Sequence, residues 1–193
     1  MKIGLDIRAL QVGHEFRGIG ASIRSLVEAL VSDKKFVKNQ IYFYMYEGTN
    51  PLETIRLPQD FTYKTVLIKN PKDPRDHPTK VDKAIAFAKE VFLNHLAPNT
   101  ISRTSILDVY IQFDQALGLP RSPLINKVVM VYDLIPLVFR SDYMPTARSV
   151  SRKHNWRVGI RAFGLNVRYK AGLKIIKRAN KIITISETSA RDI

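Results

Sequence analysis

The sequence predicts an α/β fold, a parallel sheet with helices on both faces. Three observations predict it. Short β-rich runs alternate with longer stretches in which apolar residues recur at helical spacing. A glycine-bearing turn, with Gly13, Gly18 and Gly20, separates the first strand-like run from the first helical one. Lys127-Val128-Val129-Met130-Val131-Tyr132 is nearly continuous in apolar character, as a strand buried on both faces is.

Each element follows from its residues. Ile3 to Ile7 reads as a first strand, and Ile23, Leu26, Val27 and Leu30 form one face of a helix at i, i+3, i+4 and i+7. Ile41 to Tyr46 is aromatic and β-prone, and Tyr63 to Lys69 reads as a third strand. Asn70 to Pro78 holds three prolines and is expected to be a loop. Val81, Ile85, Ala88 and Phe92 mark a further helix face, and Leu107 to Gln112 a short strand. After the Lys127–Tyr132 strand come two basic helices, one carrying Trp156, Ile160 and Phe163, the other Tyr169, Leu173 and Ile176. Lys181 to Ile185 is the last strand, and Ser186 is placed to cap a helix.

The 193 residues suffice for one ordinary domain with a sizeable core. A hydrophobic share of 45% argues against a disordered tail. With no Cys there is no disulfide framework, thiolate zinc site or Cys nucleophile. No apolar run approaches the roughly 20 residues of a membrane span. The opening Ile3-Gly4-Leu5 is cut short by Asp6, which excludes a signal peptide at that point. The four histidines, His14, His77, His95 and His154, are scattered, and no metal-ligand spacing is present.

Charge is concentrated. The formal net charge is +14, and no acidic residue lies between Tyr143 and Ser186. That stretch holds Arg148, Arg152, Lys153, Arg157, Arg161, Arg168, Lys170, Lys174, Lys177, Arg178 and Lys181. Such a surface attracts phosphates on nucleic acid, on anionic lipid or on a charged substrate. It is equally the solvated face of helices balanced by an acidic partner.

Three segments carry candidate chemistry. Arg17-Gly18-Ile19-Gly20 precedes the first helix, where glycines admit a close backbone approach and helix amides favour an anion. It also reads as a plain turn into a helix. Tyr132-Asp133-Leu134-Ile135-Pro136 ends the most apolar strand and breaks at the proline, which delivers Tyr132 and Asp133 to the ligand edge of a parallel sheet. Asp133 can there orient a sugar hydroxyl or act as a base, or simply cap a turn. Ser186-Glu187-Thr188-Ser189 starts a helix after a strand, a place for an anion or for an N-cap alone.

Taken in order, these segments resemble the amino-terminal domain of the family 4 retaining glycosyltransferases. Those proteins carry a Gly-Gly-Ile-Gly loop, where Arg17 here replaces the first glycine. They carry a strand ending in His-Asp-Leu-Ile-Pro, which here reads Tyr132-Asp133-Leu134-Ile135-Pro136. They continue to Ala-Asp-x-Ile-Ile-Thr-Val-Ser-Glu-x-Ser, here Ala179-Asn180-Lys181-Ile182-Ile183-Thr184-Ile185-Ser186-Glu187-Thr188-Ser189. Residues 48–99 carry no motif of the family.

The resemblance implies a Rossmann-like domain, one half of a GT-B architecture, spanning 1–193 on the acceptor side. The carboxy-terminal donor-binding domain is expected to be absent, since the chain stops seven residues after Ser186. The chain alone is then expected to be inactive. A nucleotide-sugar is the implied co-substrate, with no bound metal or other cofactor. Gly18 and Gly20 are implied as contacts to the donor phosphate, Tyr132 and Asp133 as the catalytic, sugar- or acceptor-side pair, and Ser186 and Glu187 as cleft-lining. The family's histidine before the Asp is Tyr132 here, and a phenol does not share imidazole's near-neutral pKa.

The implied acceptor is lipid-linked, cell-envelope or polysaccharide. Arg148, Arg152, Lys153, Arg157 and Arg161 are expected to meet an anionic membrane surface or acceptor, in a cytoplasmic protein peripheral at the inner membrane face. Two other readings stand beside this one. A basic nucleic-acid-binding module explains the charge, but no recognised nucleic-acid motif is present and specific nucleic acid is not expected. A non-catalytic interaction domain accommodates Tyr132.

Overall fold

The structure is a computed structural model that describes residues 1–11, 18–69, 107–115, 117–120, 122–132 and 176–191, together with residues 166, 170, 173 and 174. The strands are β1 (Lys2–Asp6), β2 (Gln40–Tyr46), β3 (Tyr63–Ile68), β4 (Val109–Gln112), β5 (Asn126–Val131) and β6 (Lys181–Thr184). The helices are α1 (Gly18–Ser32) and α2 (Glu187–Arg191). All six strands are parallel, in the order β3-β2-β1-β4-β5-β6. This is the doubly wound, Rossmann-like order, in which the chain reverses direction across the sheet between β1 and β4.

β1 lies inside the sheet, between β2 and β4, and is buried from Ile3 to Asp6. Ile3, Leu5 and Ile7 point to one face and pack with Ile23, Val27 and Val31 of α1. Gly4 and Asp6 point to the other face, as alternation along a strand requires. There Tyr44 and Tyr110 meet edge to face, ring centroids 5.3 Å apart. Together with Leu107 they close over Gly4 so tightly that a Cβ would lie 2.8 Å from Leu107 Cδ1 and 2.9 Å from Tyr44 Cε2. Glycine is required here by close approach.

The buried stripe of α1 is Gly20, Ile23, Val27 and Val31, with Leu26 and Leu30 half-buried beside it. Asp33 ends the helix: its Oδ1 accepts from the backbone N–H groups of Lys35 (2.7 Å) and Phe36 (2.8 Å). The second face of the sheet is covered by Leu173, Ile176 and Ala179, of which Leu173 and Ile176 are helical. Helices therefore pack on both faces.

The strands at 3–7, 41–46, 63–69, 107–112, 127–132 and 181–185 occur as the sequence predicts, within one or two residues. The loop at 70–78, the helix at 81–92 and most of the basic helices lie outside the described residues. One strand differs in burial from expectation. β5 alternates: Lys127, Val129 and Val131 are buried, while Val128 and Met130 are half-buried and Asn126 is exposed. Burial lowers the pKa of the Lys127 ammonium. β6 sits at the sheet edge with Ile182 and Ile183 exposed, because no strand lies beyond it among the described residues.

Asn180 fixes where β6 begins. Its side-chain oxygen accepts from Lys127 N–H at 2.9 Å, and its own N–H donates to the Lys127 carbonyl at 2.8 Å. No helix among the described residues is long and apolar enough to cross a membrane.

Candidate functional site at the carboxyl edge of the sheet

Parallel strands bring all their carboxyl ends to one edge, and the reversal between β1 and β4 opens that edge to ligands. The end of β1 is built from Asp6, Arg8 and Gln11. Arg8 donates from Nε to Asp6 Oδ1 (2.9 Å) and from Nη2 to Asp6 Oδ2 (2.6 Å), and its backbone N–H also reaches Oδ1 (3.1 Å). Tyr110 Oη, from β4, donates to Asp6 Oδ2 at 2.6 Å. The guanidinium lies over the Tyr46 ring, 5.4 Å from its centroid, and its Nη2 reaches the Gly118 carbonyl at 3.5 Å.

Asp6 is fully buried and Arg8 nearly so. Burial works against the Arg8 charge, but Asp6 and the neighbouring tyrosines outweigh it, so the group stays protonated more firmly than an ordinary arginine. Burial, and then the Asp6 carboxylate, push the Tyr110 phenol well up, so it remains a neutral donor.

Gln11 ties the same loop to β2. Its Nε2 donates to the carbonyls of Tyr46 (2.9 Å) and Thr49 (2.8 Å), and its Oε1 accepts from Tyr46 N–H (2.7 Å). The segment after β1 is thus held by Gln11 on the β2 side and by Arg8 on the β4 side. A platform fixed from both sides presents a ligand edge with little reorganisation.

The end of β4 is similar. Gln112 is fully buried, and its Nε2 donates to the carbonyls of Asp114 (2.6 Å) and Leu117 (2.5 Å), which shapes the loop after the strand. Its Oε1 meets no donor among the described residues.

The end of β5 differs. Tyr132 is 7% exposed and packs with the α1-side core, yet its hydroxyl has no hydrogen-bond partner among the described residues. Burial, reinforced by the Asp114 carboxylate, raises its pKa well above that of an ordinary phenol. It is therefore a neutral hydroxyl, able to donate one hydrogen bond and accept another.

The other expected residues fall as follows. Asp133 follows Tyr132 but lies outside the described residues, as do Arg148, Arg152, Lys153, Arg157 and Arg161. Gly18 begins α1, is exposed, and would have nothing within 4 Å of an added Cβ, so packing does not demand glycine there. Gly20 is buried in the α1 stripe, facing the core. Ser186 and Glu187 are exposed. Ser186 Oγ accepts from Ser189 N–H at 3.1 Å and donates to Ser189 Oγ at 3.1 Å, so the hydroxyl is committed to capping α2.

The parallel sheet brings the start of α1, Tyr132 and Ser186 to one edge. At about 4.8 Å per strand, the end of β5 lies roughly 10 Å from that of β1, and the end of β6 roughly 14 Å. Sequence reasoning missed Asp6, Arg8, Tyr110, Gln112 and Asp114. The signal available for them was polar side chains within two residues of the ends of apolar strands. Among the described residues no group of three or more His, Asp or Glu is placed to hold a metal ion. A cleft of about 350 Å³, lined by Ser32, Lys34, Asp60 and Thr62 among others, opens at the opposite, amino edge, away from these groups.

The fold defines a Rossmann-like α/β domain, with buried polar groups gathered at the carboxyl ends of β1, β4 and β5. No protein-family model, curated protein or solved structure gives a significant match to the chain.

Proposed function

We propose that the chain is the acceptor-side half of a glycosyltransferase that moves a sugar from a nucleotide-sugar to a lipid-linked, cell-envelope or polysaccharide acceptor. The observation that carries this reading is the Tyr132 hydroxyl, buried at the ligand edge of a doubly wound sheet with no partner among the described residues. A buried hydroxyl left unanswered costs about 1–3 kcal/mol, and a sugar or acceptor oxygen at that edge removes the cost. The motif order from Gly18 to Ser189 supports the same reading.

In this reading Tyr132 positions the sugar or acceptor by a hydrogen bond and does not act as a base near neutral pH, because burial keeps the phenol protonated. Asp133, next in the chain, supplies the carboxylate that orients a hydroxyl. Gly18, exposed at the start of α1, opens the first helix towards the donor phosphate, while Gly20 packs on the core side. The chemistry is completed by a donor-binding domain that brings the nucleotide-sugar. Arg148, Arg152, Lys153, Arg157 and Arg161 hold an anionic acceptor or membrane surface.

The test is sugar transfer by the gene product, screened over nucleotide-sugars, beside Tyr132→Phe and Tyr132→His. The expected result is turnover with one donor, reduced about tenfold or more by Tyr132→Phe, as loss of a ligand hydrogen bond predicts. Absence of both transfer and donor hydrolysis from all three proteins overturns the reading.

A further inference from the structure

β6 closes one side of the sheet, and its outer row of N–H and C=O groups faces no strand among the described residues. Three of its isoleucines, counting the residue just past the strand, are exposed: Ile182 at 38%, Ile183 at 44% and Ile185 at 59%. By alternation Ile183 and Ile185 share one face and Ile182 lies on the other. Five cations lie in the residues that lead into β6 and at its first residue: Lys170, Lys174, Lys177, Arg178 and Lys181 are all exposed. Edge strands are ordinarily protected by charges along their length, and β6 has one only at its first residue.

We propose that β6 takes up an acidic, extended segment of a partner protein as a seventh strand. The main-chain groups that meet no strand among the described residues supply the pairing, the isoleucines on both faces supply apolar contact, and the cations select the sign of the partner. A second copy of this chain fits less well, because it brings the same excess of positive charge, +14 in net, to the edge. A lipid surface also fits poorly. No single plane buries Ile182 and Ile183 together, and the edge N–H and C=O groups would lack partners in hydrocarbon. This inference does not depend on the glycosyltransferase reading.

The test measures fluorescence anisotropy of a labelled ten-residue peptide of alternating Glu and Val, with a Lys and Val peptide as control. The expected result is saturable binding of the Glu–Val peptide, at least about tenfold tighter than the control and weakened by salt. The double variant Lys177→Glu/Arg178→Glu, at exposed positions that leave the core intact, is expected to weaken it about tenfold or more. Ile183→Asp, which places a repelling charge on the edge, is expected to abolish it.

Absence of binding, or equal binding of the two peptides, overturns the proposal. So does dimerisation of the free chain that Ile183→Asp abolishes, which assigns the edge to a second copy. Binding to phosphatidylglycerol vesicles without peptide binding assigns it to lipid and equally overturns the proposal.

Discussion

The ends of β1 and β5 reach the same edge of the sheet but treat their polar groups differently. At β1 both carboxylate oxygens of Asp6 are occupied, by Arg8 and by Tyr110 across the strand boundary. At β5 the Tyr132 hydroxyl is just as shielded from water, yet nothing among the described residues answers it. Both sites contain a tyrosine whose burial keeps it neutral. The difference is that one phenol is bonded within the fold and the other meets no partner among the described residues. Burial alone therefore does not separate the two tyrosines; the hydrogen-bond partner does.

Asp6→Ala gives the largest expected effect. Removing one partner of a buried ion pair leaves Arg8 charged and uncompensated, at a cost of about 3–5 kcal/mol. Urea unfolding measures it, and a loss below about 1 kcal/mol would show that the β1 end is not the structural site. Gly4→Ala comes next. Its Cβ meets Leu107 and Tyr44 below 3.0 Å, and overpacking of this kind costs about 1–3 kcal/mol in the same assay.

Alkaline titration tests what the two sites share. Tyr110 and Tyr132 have folded pKa values above the unfolded value of about 10. Below pH 10 both states hold the proton and these two groups contribute no slope. Above it the unfolded chain releases the proton first, so stability falls, by up to about 1.4 kcal/mol per pH unit for each group. Tyr110→Phe and Tyr132→Phe should each remove one share of that slope, read from unfolding midpoints between pH 9 and 11.

The smallest effect on stability belongs to Tyr132→Phe at neutral pH. Deleting a hydroxyl with no partner should change unfolding by less than about 0.5 kcal/mol, or stabilise. A loss near 2 kcal/mol would mean that the hydroxyl is already satisfied within the protein, and the contrast with β1 would disappear.

The contrast also explains what the sequence disclosed. Runs such as Ile41 to Tyr46 are strand-like by composition alone, and Ser186 with Ser189 is a cap by local spacing, so both were legible. The buried site at β1 was not. Asp6 looks like an interruption of an apolar run, and its meaning depends on Tyr110, 104 residues away. An apolar run also does not say which sheet position it takes: Ile182 and Ile183 belong to such a run and lie exposed at an edge. Lys127 is the converse, a lysine at the head of β5 that is buried. Tyr132 was found from its motif position, but its unpartnered hydroxyl is a property of packing and has no local signature.

The central place of β1 has a consequence for synthesis. β1 pairs on one side with β2, which ends at Tyr46, and on the other with β4, which ends at Gln112. The first partner leaves the ribosome about 66 residues before the second, a delay of roughly 3–13 s at about 5–20 residues per second. During that interval the nascent chain holds half a sheet, with Asp6 on its unpaired flank and Tyr110 not yet made. A chaperone or the ribosome surface that shields this flank would raise the yield of folded protein, and slowing translation between β2 and β4 would lower it.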